Sequence, residues 1–193
     1  GGPISGQAAV IQLDGWTWED MTLQAGAGMI VRWPNMAAVS DWWIEKSAKQ
    51  QIEDRDKALK NLRKTFDDAE AYRRAREANL EGQDHDARWE AMIPVLTGKL
   101  PVIIQANEIQ QIQAAVAFAS ERKLKMILFG GYDAPRCAML LKKHQVPVIV
   151  GGVYRLPQRR HDSYDAAYTL PERLRQAGIK FCISSYGRFG AAN

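Results

Sequence analysis

Apolar runs recur at regular intervals in the C-terminal half of the chain. Four of them have the length of a β-strand: PVIIQAN (101–107), KMILFGG (125–131), PVIVGGVY (147–154) and IKFCISSYG (179–187). The segments between them have the spacing of helices, over 108–123, 133–144 and 170–178. Near-continuous apolar strands that alternate with helices are typical of a parallel sheet buried on both faces. The pattern predicts an α/β fold with four parallel β/α units over 91–193.

The first 39 residues predict strands and loops rich in tryptophan. AAVIQLDG (8–15) has the pattern of a strand that ends in an Asp-Gly turn, and GMIVRWP (28–34) has that of a second strand. Trp16 and Trp18 lie between them, two residues apart, so a strand would place both indoles on one face. We expect these side chains to pack in a core or a lid rather than to stack on sugars.

A long charged helical segment, residues 40–90, precedes the last four strands. An apolar stripe with helical spacing runs along it: Ile52, Leu59, Leu62, Phe66 and Ala69. Ser40 or Asp41 is the predicted N-cap. A break at Gly82 is followed by a short helix that ends before Pro94. We interpret this segment as a helical insertion that lies over a larger body.

The positive charge of the chain is concentrated in its C-terminal half. The chain has 26 Lys and Arg and 22 Asp and Glu, and 91–193 alone carries a net +8. Most of these cations stand at predicted helix ends, where they complement the helix dipole. We therefore expect a small-molecule substrate as partner, and neither nucleic acid nor a membrane; a nucleic-acid module is the less favoured alternative. The sequence is also compatible with a homo-oligomer.

Cysteine usage and the start of the chain add little chemistry. Cys137 and Cys182 lie in apolar elements, which predicts buried free thiols, and without a CxxC pair a zinc–thiolate site is excluded.

The apolar runs are too short to span a membrane. GGPISGQAAV (1–10) lacks an initiator Met and the features of a signal peptide. We expect a piece of a longer protein, located in the cytoplasm, the periplasm or outside the cell.

Polar residues follow each predicted strand, at the carboxyl ends where parallel α/β folds bind their ligands. They are Gln105 and Asn107; Gly130, Gly131, Tyr132 and Asp133; Gly151, Gly152, Tyr154 and Arg155; and Ser184, Ser185, Tyr186 and Arg188. The substrate-binding candidates among them are Gln105, Asn107, Tyr154, Ser184 and Arg188, and Ser185 is a catalytic candidate. Each Gly-Gly pair fits either a tight turn or a close approach to a ligand.

The long loop after the third of these strands, residues 155–169, contains RRHDSYD (159–165). Arg159 and Arg160 could bind an anionic or carboxylate-bearing ligand through paired hydrogen bonds. His161 could act as a general base with Asp162 or Asp165 beside it, so His161 and Asp162 are catalytic candidates. A solvated loop without a catalytic role is the alternative.

Common catalytic and nucleotide-binding motifs are absent from the sequence. It has no GxGxxG, P-loop or GxSxG pattern. The three histidines, His85, His144 and His161, are scattered and cannot supply a four-histidine metal centre. A nucleotide site therefore has no support from motifs.

Several stretches resemble the amidohydrolase superfamily, in particular the imidazolonepropionase-like amidohydrolases. The stretches that carry the resemblance are 92–107, 112–119, 126–152 and 170–185, together with GGPISGQAAVIQLDGWTWEDM at 1–21. The resemblance implies that residues 91–193 are strands five to eight of a TIM-like (β/α)8 barrel. It also implies that the His-x-His strand lies upstream of residue 1, and that the last helix and part of a small β-sandwich lie beyond residue 193.

The resemblance further implies hydrolysis of carbon–nitrogen bonds in cyclic amides or amidines, with divalent metal to activate water. The family's strand-five histidine corresponds to Gln105, its strand-six histidine falls near Phe129 or Gly130, and its strand-eight aspartate near Ser185 or Tyr186. The metal-ligand positions are thus degenerate here, and zinc is expected only with ligands outside this segment. Two functions follow: an amidohydrolase-like enzyme, or a non-catalytic protein that holds an anionic ligand through Arg159, Arg160 and Arg188.

Overall fold

The computed structural model describes residues 4–40, 42–78 and 85–185 and shows a mixed α/β chain. The chain divides into two compact units. The first comprises Gly1–Val102 with Arg122–Lys125, and the second comprises Ile103–Glu121 with Met126–Asn193. The predicted division into 1–39, 40–90 and 91–193 stays a prediction about domains.

The first unit begins with an antiparallel hairpin of strands β1 (Ile4–Ile11) and β2 (Thr22–Arg32). At its tip lies the short helix α1 (Trp18–Met21), because Thr17 and Asp20 form a capping box there. Trp16 and Trp18 therefore do not share one face of a strand. Both indoles are exposed, Trp16 to 96%, so neither packs in a core.

Helix α2 (Ala48–Glu77) forms most of the predicted helical segment. It starts later than predicted, because its N-cap is Ser47 and not Ser40 or Asp41, the latter of which lies outside the described residues. The Ser47 side chain accepts from the Gln50 N–H, and the Gln50 side chain accepts from the Ser47 N–H. The predicted stripe is buried at Leu62, Phe66 and Ala69, whereas Ile52 is exposed. Helix α2 is thus packed in the first unit through the buried side chains of its middle part.

Two short helices, α3 (Ala87–Glu90) and α4 (Ile93–Leu96), replace the single helix predicted before Pro94. Pro94 lies in the first turn of α4, where its missing N–H needs no partner. The Tyr72 hydroxyl donates to Glu90 Oε1 at 2.8 Å and accepts from the Asp86 N–H at 3.3 Å. These contacts join α3 to the C-terminal part of α2.

The second unit consists of strands and helices in alternation. In chain order these are β3 (Val102–Ala106, with Val102 in the first unit), α5 (Ile109–Glu121), β4 (Met126–Gly130), a 3₁₀ helix (Ala134–Cys137), α6 (Ala138–Lys143), β5 (Val148–Val150), α7 (Leu170–Gln176) and β6 (Phe181–Ile183). The strands neighbour one another in that order, and the pairs β4–β5 and β5–β6 are parallel. The parallel arrangement of β4, β5 and β6 confirms part of the predicted sheet. The four β/α units over 91–193 and a closed (β/α)8 barrel stay predictions.

Burial differs between the strands of the second unit. Alternate residues of β3 and β4 are buried, and Ile104 and Leu128 are inaccessible to solvent. In β6, Cys182 is exposed and Ile183 is 54% exposed. The prediction of a buried Cys182 thiol is therefore wrong, because β6 is the last strand in the order and gains little cover; Cys137 is buried as expected.

We expect Ile104→Asp to abolish cooperative folding, because a carboxylate at a position with 0% exposure would lose its hydration without gaining a partner. Ile183→Asp is the matched control, since it makes the same change on an exposed strand position. Circular dichroism during thermal unfolding distinguishes them. A cooperative transition in the Ile104 variant would contradict the assigned core.

We expect the ionisation of Glu70 to make the stability of helix α2 depend on pH. Hydrogen bonds from Arg73 and Arg74 lower the pKa of Glu70 from its ordinary 4.5 to about 2. The resulting stabilisation is full above pH 4.5 and is lost as the pH falls towards 2. We expect Glu70→Gln to lower the free energy of unfolding by about 0.5–1 kcal/mol at neutral pH.

The measurement is urea unfolding at neutral pH and near pH 2, where the difference between Glu70→Gln and the parent should vanish. Glu53→Gln, on an exposed part of the same helix, is the control. An effect of equal size at both pH values would show that the carboxylate charge is not its cause.

Candidate functional site

A pair of glycines gives the turn after β4 its shape. Gly130 and Gly131 have φ values of 97° and 63°, a region that side-chain-bearing residues rarely adopt. A Cβ at Gly130 would lie 2.5 Å from Asn107 Oδ1, and one at Gly131 would lie 2.9 Å from Val148 Cγ1. The Gly-Gly pair thus serves a tight turn, and it directs the chain from β4 to Tyr132 and Asp133.

The Asp133 carboxylate is the centre of a buried polar cluster. Only 3% of Asp133 is exposed, and its two oxygens accept from Arg159 Nη1 at 3.0 Å and Nη2 at 2.6 Å. The oxygen that is 2.6 Å from Arg159 also accepts from the Ile109 N–H, at the first residue of α5, at 3.3 Å. Asp133 therefore joins the loop to the N-terminus of a helix.

Arg159 is surrounded by acidic groups. Besides the hydrogen bonds to Asp133, its guanidinium lies 3.9 Å from Asp162 Oδ1 and 4.0 Å from Glu108 Oε1. The hydrogen bonds to Asp133 are the main reason why the pKa of Arg159 is raised above its ordinary value. The guanidinium is therefore engaged within the protein and is positively charged at every accessible pH.

A second carboxylate, Asp162, is held by hydrogen bonds within the same cluster. Its Oδ2 accepts from the Tyr132 hydroxyl at 2.8 Å and from the Arg159 N–H at 3.1 Å. Burial works to raise the pKa of Asp162, but these hydrogen bonds and the charges of Arg159 and His161 outweigh it, so the pKa is lowered overall. Asp162 therefore stays ionised.

Tyr132 lies beneath the loop. Its hydroxyl accepts from the Gln158 N–H at 3.3 Å, and the guanidinium carbons of Arg155 and Arg159 lie 4.9 and 5.7 Å from its ring centroid. Burial is the main cause of the raised pKa of its hydroxyl. The neutral hydroxyl can thus act as donor to Asp162 over the whole physiological range.

His161 lies at the solvent-facing edge of this cluster. Its side chain is 73% exposed, and Nε2 lies 3.9 Å from Asp162 Oδ1, beyond hydrogen-bond distance. The other acid considered for it, Asp165, accepts instead from the Ser163 hydroxyl. The structure thus gives His161 an ionised neighbour and free access to solvent.

The structure places the remaining predicted site residues as follows. Gln105 is half-buried in β3, and Asn107 Oδ1 is buried beside Gly130. The Ser184 hydroxyl donates to the Val150 carbonyl at 3.2 Å, and the exposed Tyr154 packs edge-on against Tyr168. Arg160 and Ser185 are exposed, and Arg188 lies outside the described residues. Of the predicted residues, Arg159, His161 and Asp162 come together. The roles predicted for all of them remain predictions.

Tyr132 and Asp133 are the functional candidates that sequence reasoning left without a role. Both were recognised as strand-end residues, but nothing in the local sequence connects them with Arg159, which is 26 residues from Asp133. One signal was available: β4 and β5 are neighbouring parallel strands, so an acid after one and an arginine after the other can meet.

The described residues do not fit a divalent metal. The positions at which the resemblance predicts the family's ligands hold Gln105, Phe129 or Gly130, and Ser185 or Tyr186, and Tyr186 lies outside the described residues. The nearby carboxylates of Asp133 and Asp162 are bonded to Arg159 and Tyr132. Across 4–40, 42–78 and 85–185, no group of three or more His, Cys, Asp or Glu residues is arranged to bind a metal ion.

Within the part of the chain that the structure describes, no helix has the length and apolar character needed to cross a membrane.

The fold is similar to that of a solved protein. No family model matches the sequence, and no curated protein matches it. The crystal structure of an amidohydrolase from Thermotoga maritima matches with a TM-score of 0.73 and 18% sequence identity, over 95% of this chain and 48% of that chain. The chain therefore has an amidohydrolase-like fold and spans about half the length of that protein.

Replacing Tyr132 with Phe tests the cluster directly. The change removes the hydroxyl that donates to Asp162, so we expect the pKa of Asp162 to rise towards its ordinary value. NMR titration of side-chain carboxyl groups measures this pKa. Tyr154→Phe is the control, since that hydroxyl is on an exposed residue. An unchanged Asp162 pKa in the Tyr132 variant would show that the hydrogen bond does not stabilise the carboxylate.

Proposed function

We propose that the protein is an amidohydrolase-like enzyme that hydrolyses carbon–nitrogen bonds other than peptide bonds, with cyclic amides or amidines as substrates. The observation that supports this proposal is the similarity in fold to the Thermotoga maritima amidohydrolase over 95% of the chain. The parallel order of β4, β5 and β6 supports their assignment to a TIM-like barrel. Within the superfamily, we place the chain with the imidazolonepropionase-like proteins on the sequence stretches quoted above.

The residues proposed to be catalytic lie on the loop and directly after β6. His161 accepts a proton from the attacking water, and its exposed imidazole can be reached by substrate. Asp162 stabilises the imidazolium that forms, since its carboxylate is ionised and lies 3.9 Å away. Ser185, after β6, donates a hydrogen bond to the reacting group. Gln105, Asn107, Tyr154 and Ser184 line the substrate site.

Binding without turnover is the second candidate function. The ligand would be anionic, and Arg159, Arg160 and Arg188 would hold it. One observation favours this alternative: Arg160 is exposed and can reach an anion in solution, whereas Arg159 would first have to leave Asp133. In both cases we propose a small-molecule ligand rather than nucleic acid or a membrane, and homo-oligomerisation is compatible with either.

Metal analysis of the full-length protein separates the two functions. Stoichiometric zinc, iron or manganese, together with hydrolysis of a panel of cyclic amides and amidines, supports the enzyme. A metal-free protein that binds organic anions saturably, without product formation, supports the binding protein.

We expect His161→Ala to fold normally, because the side chain is mostly exposed, and to lower kcat/KM by about 10²–10⁴-fold if His161 is the general base. Steady-state kinetics on the full-length protein measure this loss. His144→Ala, at the end of α6, is the control for the general effect of removing an imidazole. Unchanged kinetics in the His161 variant would exclude this role.

A further inference from the structure

The loop of residues 151–169 buries little apolar surface of its own. Four of its large apolar and aromatic side chains are exposed, and Val153 is half-buried; the exposed ones are Tyr154, Leu156, Tyr164 and Tyr168. Ala167, near its C-terminal end, is a buried exception. Segments with few buried apolar contacts open at a lower free energy than the core that carries them. The loop is therefore a candidate for opening separately from the rest of the second unit.

Polar contacts hold the middle of this loop. Arg159 bonds to Asp133 through both terminal nitrogens, and Asp162 accepts from Tyr132. The Gln158 N–H donates to the same Tyr132 hydroxyl. These contacts come from only five consecutive loop positions, 158–162, and they end on two adjacent residues after β4. A single polar cluster thus attaches the centre of the loop.

The two ends of the loop are attached differently. At its start, the Gly151 N–H donates to the Gly130 carbonyl at 3.3 Å, which continues the β4–β5 pairing. At its end, the Thr169 N–H donates to the Asp165 carbonyl at 2.9 Å and leads directly into α7. The two ends are therefore attached next to β5 and α7, and the centre can move if the polar cluster opens.

The closed loop covers the carboxyl ends of β3 and β4. Arg159 reaches Asp133 after β4, and it approaches Glu108 after β3 to 4.0 Å. Tyr132 is 6% exposed beneath Arg155 and Arg159. Release of Arg159 would expose Tyr132 and leave Asp133 with Arg136, whose Nη1 lies 3.8 Å from Asp133 Oδ1, as its remaining cation. Opening would thus change both the access and the charge at the strand ends.

We propose that residues 151–169 form a lid over the ends of β3 and β4, and that the Arg159–Asp133 ion pair is its latch. The lid opens as one segment between β5 and α7, and it closes when the guanidinium returns to the carboxylate. Asp133 remains bonded to the N-terminus of α5 in both states. This lid does not depend on the hydrolysis proposed above, because its opening can be measured without substrate.

Hydrogen exchange measured by mass spectrometry on the intact protein tests the latch. Asp133→Asn removes the negative charge but keeps an oxygen that can accept from the Ile109 N–H. We expect amide exchange within 153–166 to increase by about 10- to 100-fold, as for the loss of a charge-assisted hydrogen bond, with exchange of 126–130 unchanged. Arg159→Gln should give the same local increase, and the double variant should add no more.

The control variant is Arg160→Gln, which removes a neighbouring exposed guanidinium and should leave exchange in 153–166 at the parent rate. Two results would overturn the proposal. One is unchanged exchange in 153–166 in both latch variants. The other is an increase of equal size in 103–106 and 126–130, since that would make the ion pair a contact for the stability of the whole unit rather than a latch.

Discussion

The bidentate ion pair between Arg159 and Asp133 is the interaction on which the arrangement of the candidate site depends. The carboxylate is almost completely buried, so its hydration must be replaced by hydrogen bonds from the protein. The guanidinium and the N-terminus of α5 supply them. Removal of either donor would leave the buried charge with too few hydrogen bonds. The loss of free energy of unfolding would then exceed the net stabilisation that the ion pair gives.

The same pair determines what chemistry the strand ends offer. In many sites of parallel α/β folds, carboxylates after the strands bind cations from solution. Here a side chain of the protein occupies that role, and the second carboxylate, Asp162, is held by Tyr132 and the Arg159 backbone. The imidazole of His161 remains accessible to solvent. In the described part of the chain, both buried carboxylates of the cluster are therefore bonded to groups of the protein itself.

The periodic elements of the fold could be predicted from the sequence, because their burial follows a local rule. The strand around Ile104 is buried as predicted, and the helix predicted over 108–123 forms as Ile109–Glu121. The start of α2 was harder, since Ser40 and Ser47 are both acceptable caps and only the reciprocal bond with Gln50 distinguishes them. The exposure of β6 could not be predicted, because the sequence of a strand does not show whether other elements pack on it.

The candidate site was predictable only in part, for a related reason. The richness of 159–165 in Arg, His and Asp marked the loop, and the Gly-Gly pair marked the turn after β4. The pairing of Arg159 with Asp133 depends on the geometry of neighbouring strands and on burial. Without that geometry, Arg159 and Arg160 look equivalent, although one is held by a buried acid and the other is exposed.

The contact between Asp133 and the first N–H of α5 gives the ion pair a fixed polarity. The N-terminus of a helix carries partial positive charge, so position 133 must be negative there. Exchange of the two residues, with arginine at 133 and aspartate at 159, would preserve the net charge and the attraction between them. It would nevertheless direct a guanidinium at the positive end of α5 and remove the acceptor for Ile109. The pair is thus not interchangeable, and its orientation is imposed by a helix to which the loop itself is not connected in sequence.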